Sequence, residues 1–345
     1  GQDELVFDGA SFVLNSDRSL AAQMPEFEEA TLLTKWTRSG DGWVCAKTST
    51  ARQLLGYEEI WHACVLGTRD YVQKNRFDSV VLGMSGGIDS AVVAAIATDA
   101  LGPDKVHCVM LPYDYTSSDS LEDAESCAKA LGVRYDNVPI SAPVTGFLDA
   151  LAPMFEGTTE GVTEENIQSR TRGAILMAIS NKFGSMVLTT GNKSEMSVGY
   201  ATLYGDMNGG FNPIKDVYKT DVYALASWRN QSDAMGLLGP AGRVIPERII
   251  IKAPSAELRP NQTDQDSLPD YDVLDDILDG LVEGETSLAE LVAKGHDKAT
   301  VERIQHLLYI AEYKRRQAAP GVKLTRRSFG KERRYPITNG FRDKA

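Results

Sequence analysis

Cysteine and histidine are scarce, with four of each in 345 residues. Cys45, Cys64, Cys108 and Cys127 lie far apart, without a C-x-x-C pair or a histidine cluster, which excludes a disulfide framework and a zinc site of ordinary spacing. They read as buried thiols. No run approaches the ~20 consecutive apolar residues of a membrane span, and the opening GQDELVFDGA lacks the basic and apolar regions of a secretory signal. A cytoplasmic chain without a membrane partner is expected. Positive charge is also short, 36 Lys and Arg against 48 Asp and Glu, and the formal net charge of -12 argues against nucleic acid as a partner. Any phosphate ligand has to be held locally. No GK[ST] and no G-x-G-x-x-G follows the glycine turn at 86–87, so neither a Walker A loop nor a dinucleotide fingerprint is present. No internal repeat is visible.

What is present is a core-forming 42% of hydrophobic residues and a regular alternation. The β-rich runs FDSVVLGM (77–84), KVHCVMLP (105–112), VRYDNVPI (133–140) and SMVLTTG (185–191) are separated by helical patterns over 88–101, 118–131 and 163–183. That order predicts an α/β fold with an open, doubly wound parallel sheet. Upstream, 4–14 reads as a strand pair around Asp8-Gly9, SGDGW (39–43) as a turn, and 48–75 as one helix. Downstream, helices are expected at 219–229, 270–282 and 297–317. The polar, proline-bearing stretch 254–270 is expected to be a mobile loop. The chain has no initiator Met and is expected to begin partway through a domain. Four segments follow: 1–37, a small β remnant; 38–76, a linker and leading helix; 77–320, the main α/β domain; and 321–345, a basic tail.

The stretch GMSGGIDSAVVAAIA (83–97) carries the chemistry. A strand ending in Gly-Gly and feeding straight into a helix aims backbone N–H groups and the positive helix end at one point, which makes an anion site. Glycines admit close approach of a phosphate and a positive φ. Ser85 and Ser90 add hydroxyl donors. Asp89 is unfavourable beside an anion unless a cation lies between them, and so implies Mg²⁺.

In an open α/β sheet, ligands bind beyond the carboxyl ends of strands at the switch point. If strand 77–84 neighbours strand 185–190, then Thr190, Lys193 and Glu195 in TGNKSE face the glycine turn. Glu195 can join Asp89 on one metal, and Thr190 can hold a nucleotide. On helix 163–183, Asn166 with Arg170 and Gln168 with Arg172 share faces; arginines near a helix start oppose the dipole, so binding and salt bridging are both open uses. Asp206 and Lys219 flank the glycine-rich LYGDMNGGFNPIKDVYKT, where Lys219 can neutralise phosphate charge.

SGGIDS after a β-run and before an Ala-rich helix resembles the PP-loop of ATP pyrophosphatases, which cut ATP between the α and β phosphates and adenylate an oxygen. Together with LPYDYTSSDSLEDA (111–124), NIQSRTR (166–172), TGNKSE, YGDMNGGFNPIKDVYKT and KAPSAEL (252–258), the chain resembles the NAD synthetase family over about residues 50 to 320. GQDELVFDGASF resembles the closing strands of a nitrilase-like glutaminase, and RRYPITNGFRD (333–343) the tail of the glutamine-dependent synthetases. The resemblance implies ATP-dependent amidation of deamido-NAD to NAD through an adenylated intermediate, with release of AMP and pyrophosphate. It implies ATP contacts at Gly83, Met84, Ser85, Gly86, Gly87, Ile88, Asp89, Ser90, Thr190, Lys219 and Ser255. It implies deamido-NAD contacts at Asn166, Arg172, Glu195, Asp206 and Lys314, catalytic roles for Lys219 and Asp89, and Mg²⁺ on Asp89 and Glu195. The loop 254–270 and the basic tail are the expected lid, and a homodimer is expected because the family's dinucleotide site crosses a dimer interface.

The family's glutaminase uses a cysteine with Glu and Lys partners, and none of the four cysteines sits in such a motif. Free ammonia, or ammonia from a glutaminase domain outside these residues, is therefore the expected nitrogen source. The alternatives are another PP-loop enzyme, such as a GMP synthetase or a tRNA-modifying thiolase, and a nucleotide-binding module without turnover. The acidic charge weighs against the tRNA enzyme, and Asp89, Glu195 and Lys219 together weigh against a site that only binds.

Overall fold

The computed structural model describes residues 1–260 and 262–343. Position 261, inside the stretch expected to be a lid, and positions 344–345, at the end of the expected tail, lie outside the described residues.

Two short antiparallel hairpins come first, β1 (Phe12–Leu14) with β2 (Leu20–Gln23) and β3 (Trp36–Ser39) with β4 (Gly42–Cys45). Helix α1 (Tyr57–Lys74) leads into β5 (Val80–Gly83), α2 (Ile88–Leu101), β6 (Val106–Met110), α3 (Ser118–Leu131), β7 (Arg134–Asn137), α4 (Ser141–Phe155), α5 (Val162–Phe183) and β8 (Met186–Leu188). Helices α6 (Lys193–Val198), α7 (Lys219–Gln231), α8 (Glu247–Ile251), α9 (Tyr271–Val282), α10 (Leu288–Ala293), α11 (Lys298–Ile310) and α12 (Glu312–Arg315) complete the chain. Among the described residues no helix is long and apolar enough to cross a membrane.

The central sheet is parallel in the order β7-β6-β5-β8, with Val80 of β5 opposite Val106 on one side and Met186 on the other. Both faces are covered, and the side-chain period of two divides the strands between two cores. Val80, Leu82, Val106, Cys108, Met186 and Leu188 join the core under α1, α2 and α7. Val81, Val109 and Val187 point to the other face, against α4 and α5. A third core gathers α9, α10 and α11 with Phe329 and Tyr335 of the tail. Because β5 lies between β6 and β8, the chain reverses direction across the sheet there, and the crevice above β5 and β8 is the switch point.

Several expectations need correcting. The helix expected over 48–75 begins only at Tyr57, because Thr48 and Ala51 donate backbone hydrogen bonds to Ala21 O and Gln23 O, and Leu54 N donates to the Glu26 carboxylate. The turn expected at Asp8-Gly9 lies instead at 15–19, and 8–14 runs antiparallel to 20–27. Helix α4 stands where the sequence reading leaves no element; Pro143 falls in its first turn, where a missing N–H costs nothing, and Pro153 near its end. The basic tail is not a lid. Thr325 and Arg327 are held from behind by Lys193, Asp216 and Glu283, and the tail packs on the C-terminal helices.

Candidate active site

The turn after β5 is built to hold itself open. Met84 N donates to Val109 O (2.9 Å), extending the ladder by one residue, and the chain then turns through Ser85, Gly86 and Gly87 into α2. Ser85 N donates to Ser90 Oγ (3.2 Å), Gly87 N to Ser85 Oγ (3.2 Å), and Ser90 Oγ to Gly87 O (3.0 Å). The two hydroxyls thus brace the turn itself. Gly86 alone of the pair is left-handed, at φ +79°. A Cβ there would lie 2.3 Å from Ser120 O, so the glycine admits the first turn of α3 as well as the strained φ.

The loop after β8 meets this turn, as the strand order requires. Asn192 caps α6 by accepting from Glu195 N (3.0 Å), while Glu195 Oε2 accepts from Asn192 N (3.2 Å), a reciprocal capping box. The same Asn192 donates through Nδ2 to Asp89 Oδ1 (2.9 Å), joining the two loops. From α7, Lys219 places Nζ 2.5 Å from Asp89 Oδ2 and 3.5 Å from Glu195 Oε1, below the Tyr271 ring at 5.2 Å. Its position is locked by Lys219 N on Ser194 Oγ (2.9 Å) and by Thr220, whose N and Oγ1 both donate to Asp275 Oδ2 at 2.9 Å. Burial, reinforced by Asp89, pushes the Glu195 carboxyl well above the carboxylate range. Burial pulls the Lys219 ammonium down, but the two carboxylates outweigh it and leave it above its ordinary value.

These groups line a cavity of about 280 Å³ above the switch point. Gly83, Met84, Ser85, Gly87, Ile88, Asp89 and Ser90 form one wall, with Thr190, Glu195, Lys219, Arg172, Asp206 and Ser255 around it. Gly86 supports that wall from behind. Arg172 Nε donates to Leu111 O (2.9 Å), and burial lowers its guanidinium to about 10, still charged at neutral pH. Asp206 accepts from Thr202 N (2.8 Å) and Ser169 Oγ (3.3 Å), and burial raises its carboxyl. Ser255 Oγ donates to Gln262 O (2.6 Å), and of the 254–270 stretch Pro254 to Leu258 and Asp264 line the cavity. Asn166 and Lys314 do not line it. Asn166 Oδ1 accepts from Thr202 Oγ1 (3.1 Å), and Lys314 Nζ donates to Gly199 O (2.7 Å) and Ala201 O (2.6 Å).

Sequence reasoning missed four groups here: Asn192, Lys252, Glu257 and Asp264. The N-x-x-E pattern of a capping box advertised Asn192, whereas Asp264 reaches the cavity only through a single turn of 3₁₀ helix (Asp264–Asp266) that no local pattern announces. For a cation, no group of three or more acidic, His or Cys side chains forms a cage among the described residues. Asp89 and Glu195, both open to the cavity, are the two-carboxylate set that suits Mg²⁺ when phosphate oxygens complete the shell.

The NAD synthase family model matches residues 60–318. Over all 345 residues the chain is 56% identical to a glutamine-dependent NAD(+) synthetase of Rhodobacter capsulatus, and it spans 62% of that relative's length. The solved structure of an Acinetobacter baumannii glutamine-dependent NAD+ synthetase in complex with ADP aligns with a TM-score of 0.68 at 46% identity, over 99% of this chain and 60% of that one. An NMN synthetase from Francisella tularensis aligns with a TM-score of 0.63 at 26% identity, over 76% of this chain and 96% of that one. The glycine turn, the β8 loop and Lys219 all fall within the matched span, and the chain belongs to the NAD synthase family.

Proposed function

We propose that the cavity binds ATP and deamido-NAD and that the chain amidates deamido-NAD to NAD, with ATP cleaved to AMP and pyrophosphate. The observation that carries this reading is the meeting of Asp89, Glu195 and Lys219 beside a backbone anion cradle at the switch point. A nicotinate carboxylate oxygen attacks the α-phosphorus, the bond to the bridging oxygen breaks, and its electron pair leaves on pyrophosphate. Ammonia then adds to the activated carbonyl, and AMP departs. Such steps need positioning and charge stabilisation more than a strong base.

In this reading the turn 83–90 cradles the phosphates, with Thr190 and Ser255 beside the nucleotide. Lys219, rigid on the first turn of α7, neutralises charge developing on the phosphoryl oxygens. Arg172 and Asp206 face the dinucleotide; Asn166 and Lys314 act from outside the lining, Lys314 by fixing the 199–201 backbone. Asp89 and Glu195 would hold Mg²⁺, which supplies electrostatic screening of the polyphosphate. The stretch 254–270 keeps water from the adenylate. Ammonia is free ammonium or the product of a glutaminase segment in the longer protein, with 1–37 as the end of that segment. Four unpaired buried cysteines support a cytoplasmic setting. Exposed apolar side chains on α4 and α5, among them Phe147, Met154 and Phe183, support a homodimer.

The test is NAD and pyrophosphate formation from MgATP and deamido-NAD with ammonium, with glutamine and nicotinate mononucleotide run as separate arms. Turnover with deamido-NAD and ammonium is expected, and Asp89→Asn should lower it at least about 100-fold without unfolding the chain. Pyrophosphate release indifferent to deamido-NAD would overturn the assignment. Preference for the mononucleotide would replace the acceptor, and turnover in the Asp89→Asn protein at the wild-type rate would remove Asp89 from the mechanism.

A further inference from the structure

Three cations line the cavity. Lys219 is bonded to Asp89, and Arg172 to Leu111 O. The third, Lys252, comes directly after α8. Its Nζ lies 2.5 Å from Ser120 Oγ and 3.5 Å from Glu257 Oε1. Ser120 is also the residue pressed against the glycine turn, its carbonyl oxygen 2.3 Å and its Cα 2.9 Å from where a Cβ on Gly86 would sit. One residue thus touches both the glycine turn and the ammonium, so Lys252 stands beside the cradle.

The local chain conformation serves this placement. Glu257 has φ +48°, a left-handed backbone that costs a non-glycine residue roughly 1–2 kcal/mol. That turn brings its carboxylate back to accept from Ser117 Oγ (2.9 Å) and Ser120 Oγ (2.7 Å) through one oxygen. The hydroxyls satisfy the carboxylate, while the ammonium at 3.5 Å is farther than the ~2.7–2.9 Å of a charge-assisted hydrogen bond and keeps N–H groups to give. Strain of this kind persists where the surroundings over-determine it, and such residues cluster at functional sites.

We propose that Lys252 is a second phosphate-binding lysine, which contacts the β and γ phosphates of ATP on the glycine turn and stabilises pyrophosphate as it leaves; this rests on the ATP reading above. Lys219 is already bonded to Asp89, with Glu195 at 3.5 Å, so part of its donor capacity is committed, and a second ammonium beside the glycine turn adds donors for the terminal phosphates. When the bond from the α-phosphorus to the bridging oxygen breaks, the electron pair stays on pyrophosphate, and Lys252 donates N–H to those oxygens without giving up its proton.

The experiment uses the full chain with Lys252→Met, Lys252→Gln and Lys252→Arg, each checked for an unchanged melting temperature. Calorimetry measures binding of MgATP, of magnesium pyrophosphate and, separately, of AMP, and steady-state rates are taken with ammonium. Lys252→Met and Lys252→Gln should weaken pyrophosphate at least about tenfold, one charge-assisted contact, and lower turnover about 100-fold. AMP affinity and the KM for deamido-NAD should stay within about twofold, a split that mere loosening of the 252–258 segment would not give, and Lys252→Arg should recover most of the pyrophosphate affinity because the charge is kept. Equal pyrophosphate affinity in wild type and the neutral variants overturns the role of Lys252 alone. Absence of MgATP binding by wild type overturns the ATP reading and the proposal together.

Discussion

Lys193 and Lys219 open consecutive helices, α6 and α7, and both are buried, with side chains 0% and 2% exposed. A cation at a helix start opposes the dipole, so each needs compensation, and each faces two carboxylates. The likeness ends there. Lys193 Nζ meets Asp216 Oδ1 (2.8 Å), Glu283 Oε1 (2.6 Å), Thr325 Oγ1 (2.6 Å) and Arg327 O (3.2 Å), more acceptors than the three protons it carries. Lys219 is bonded to Asp89, has Glu195 at 3.5 Å, and looks into the cavity. A saturated buried charge is a fastener, here between the tail, α6 and α9. An unsaturated one beside a cavity is available to a ligand.

The comparison can be broken most directly through Lys193. Lys193→Met strands Asp216 and Glu283, and removing one partner of a buried pair costs roughly 3–5 kcal/mol. Its melting temperature should fall by about 10 °C, while turnover per folded molecule stays near wild type. Lys219→Met should do the reverse, with turnover down at least about 100-fold and a smaller loss of melting temperature, because Asp89 and Glu195 can take water from the cavity. If calorimetry and ammonium-dependent turnover gave the two variants the same profile, the distinction between fastener and working charge would fail.

Gly86→Ala approaches the working site from behind. Its Cβ would meet Ser120 O at 2.3 Å from a left-handed backbone, an overpacking expected to cost roughly 1–3 kcal/mol. The KM for ATP should rise, and unfolding should come a few degrees earlier; unchanged values for both would mean that Ser120 does not brace the turn. The smallest effect belongs to His62 on α1, where burial holds the imidazole below its ordinary 6.5. The unfolded chain then binds a proton that the folded chain does not, so stability is highest above that value and falls as pH drops below it. His62→Phe should flatten this acid limb between pH 6.5 and 5, measured as melting temperature against pH, and an unaltered slope would show that His62 contributes nothing to it.

The central sheet and its main crossover helices were legible in the sequence because VVL, CVM and MVL are continuous apolar runs, the mark of strands buried on both faces. The glycine turn was legible as well, since Gly-Gly-x-Asp-Ser between a strand and a helix is a local pattern with a local physical cause. Failures came where partners are distant. Residues 48–55 carry a helical pattern, yet their N–H groups are taken by Ala21 O, Gln23 O and Glu26. The basic tail looked like a free cover, yet Lys193 and Glu283 hold it behind the site. Lys252 sits inside a stretch that was recognised, but nothing near it in sequence reveals that Ser120, 132 residues away, holds its ammonium beside the glycine turn.

By itself, then, the sequence determined the fold class, the glycine turn between strand and helix and the identities of Asp89, Glu195 and Lys219 as the groups to watch, because backbone periodicity and glycine geometry are local properties of the chain. Only the tertiary structure decided which buried charges are saturated and which remain open to a ligand. A charge is neutralised by whatever lies within a few ångströms of it, and that proximity is set by packing rather than by order along the chain.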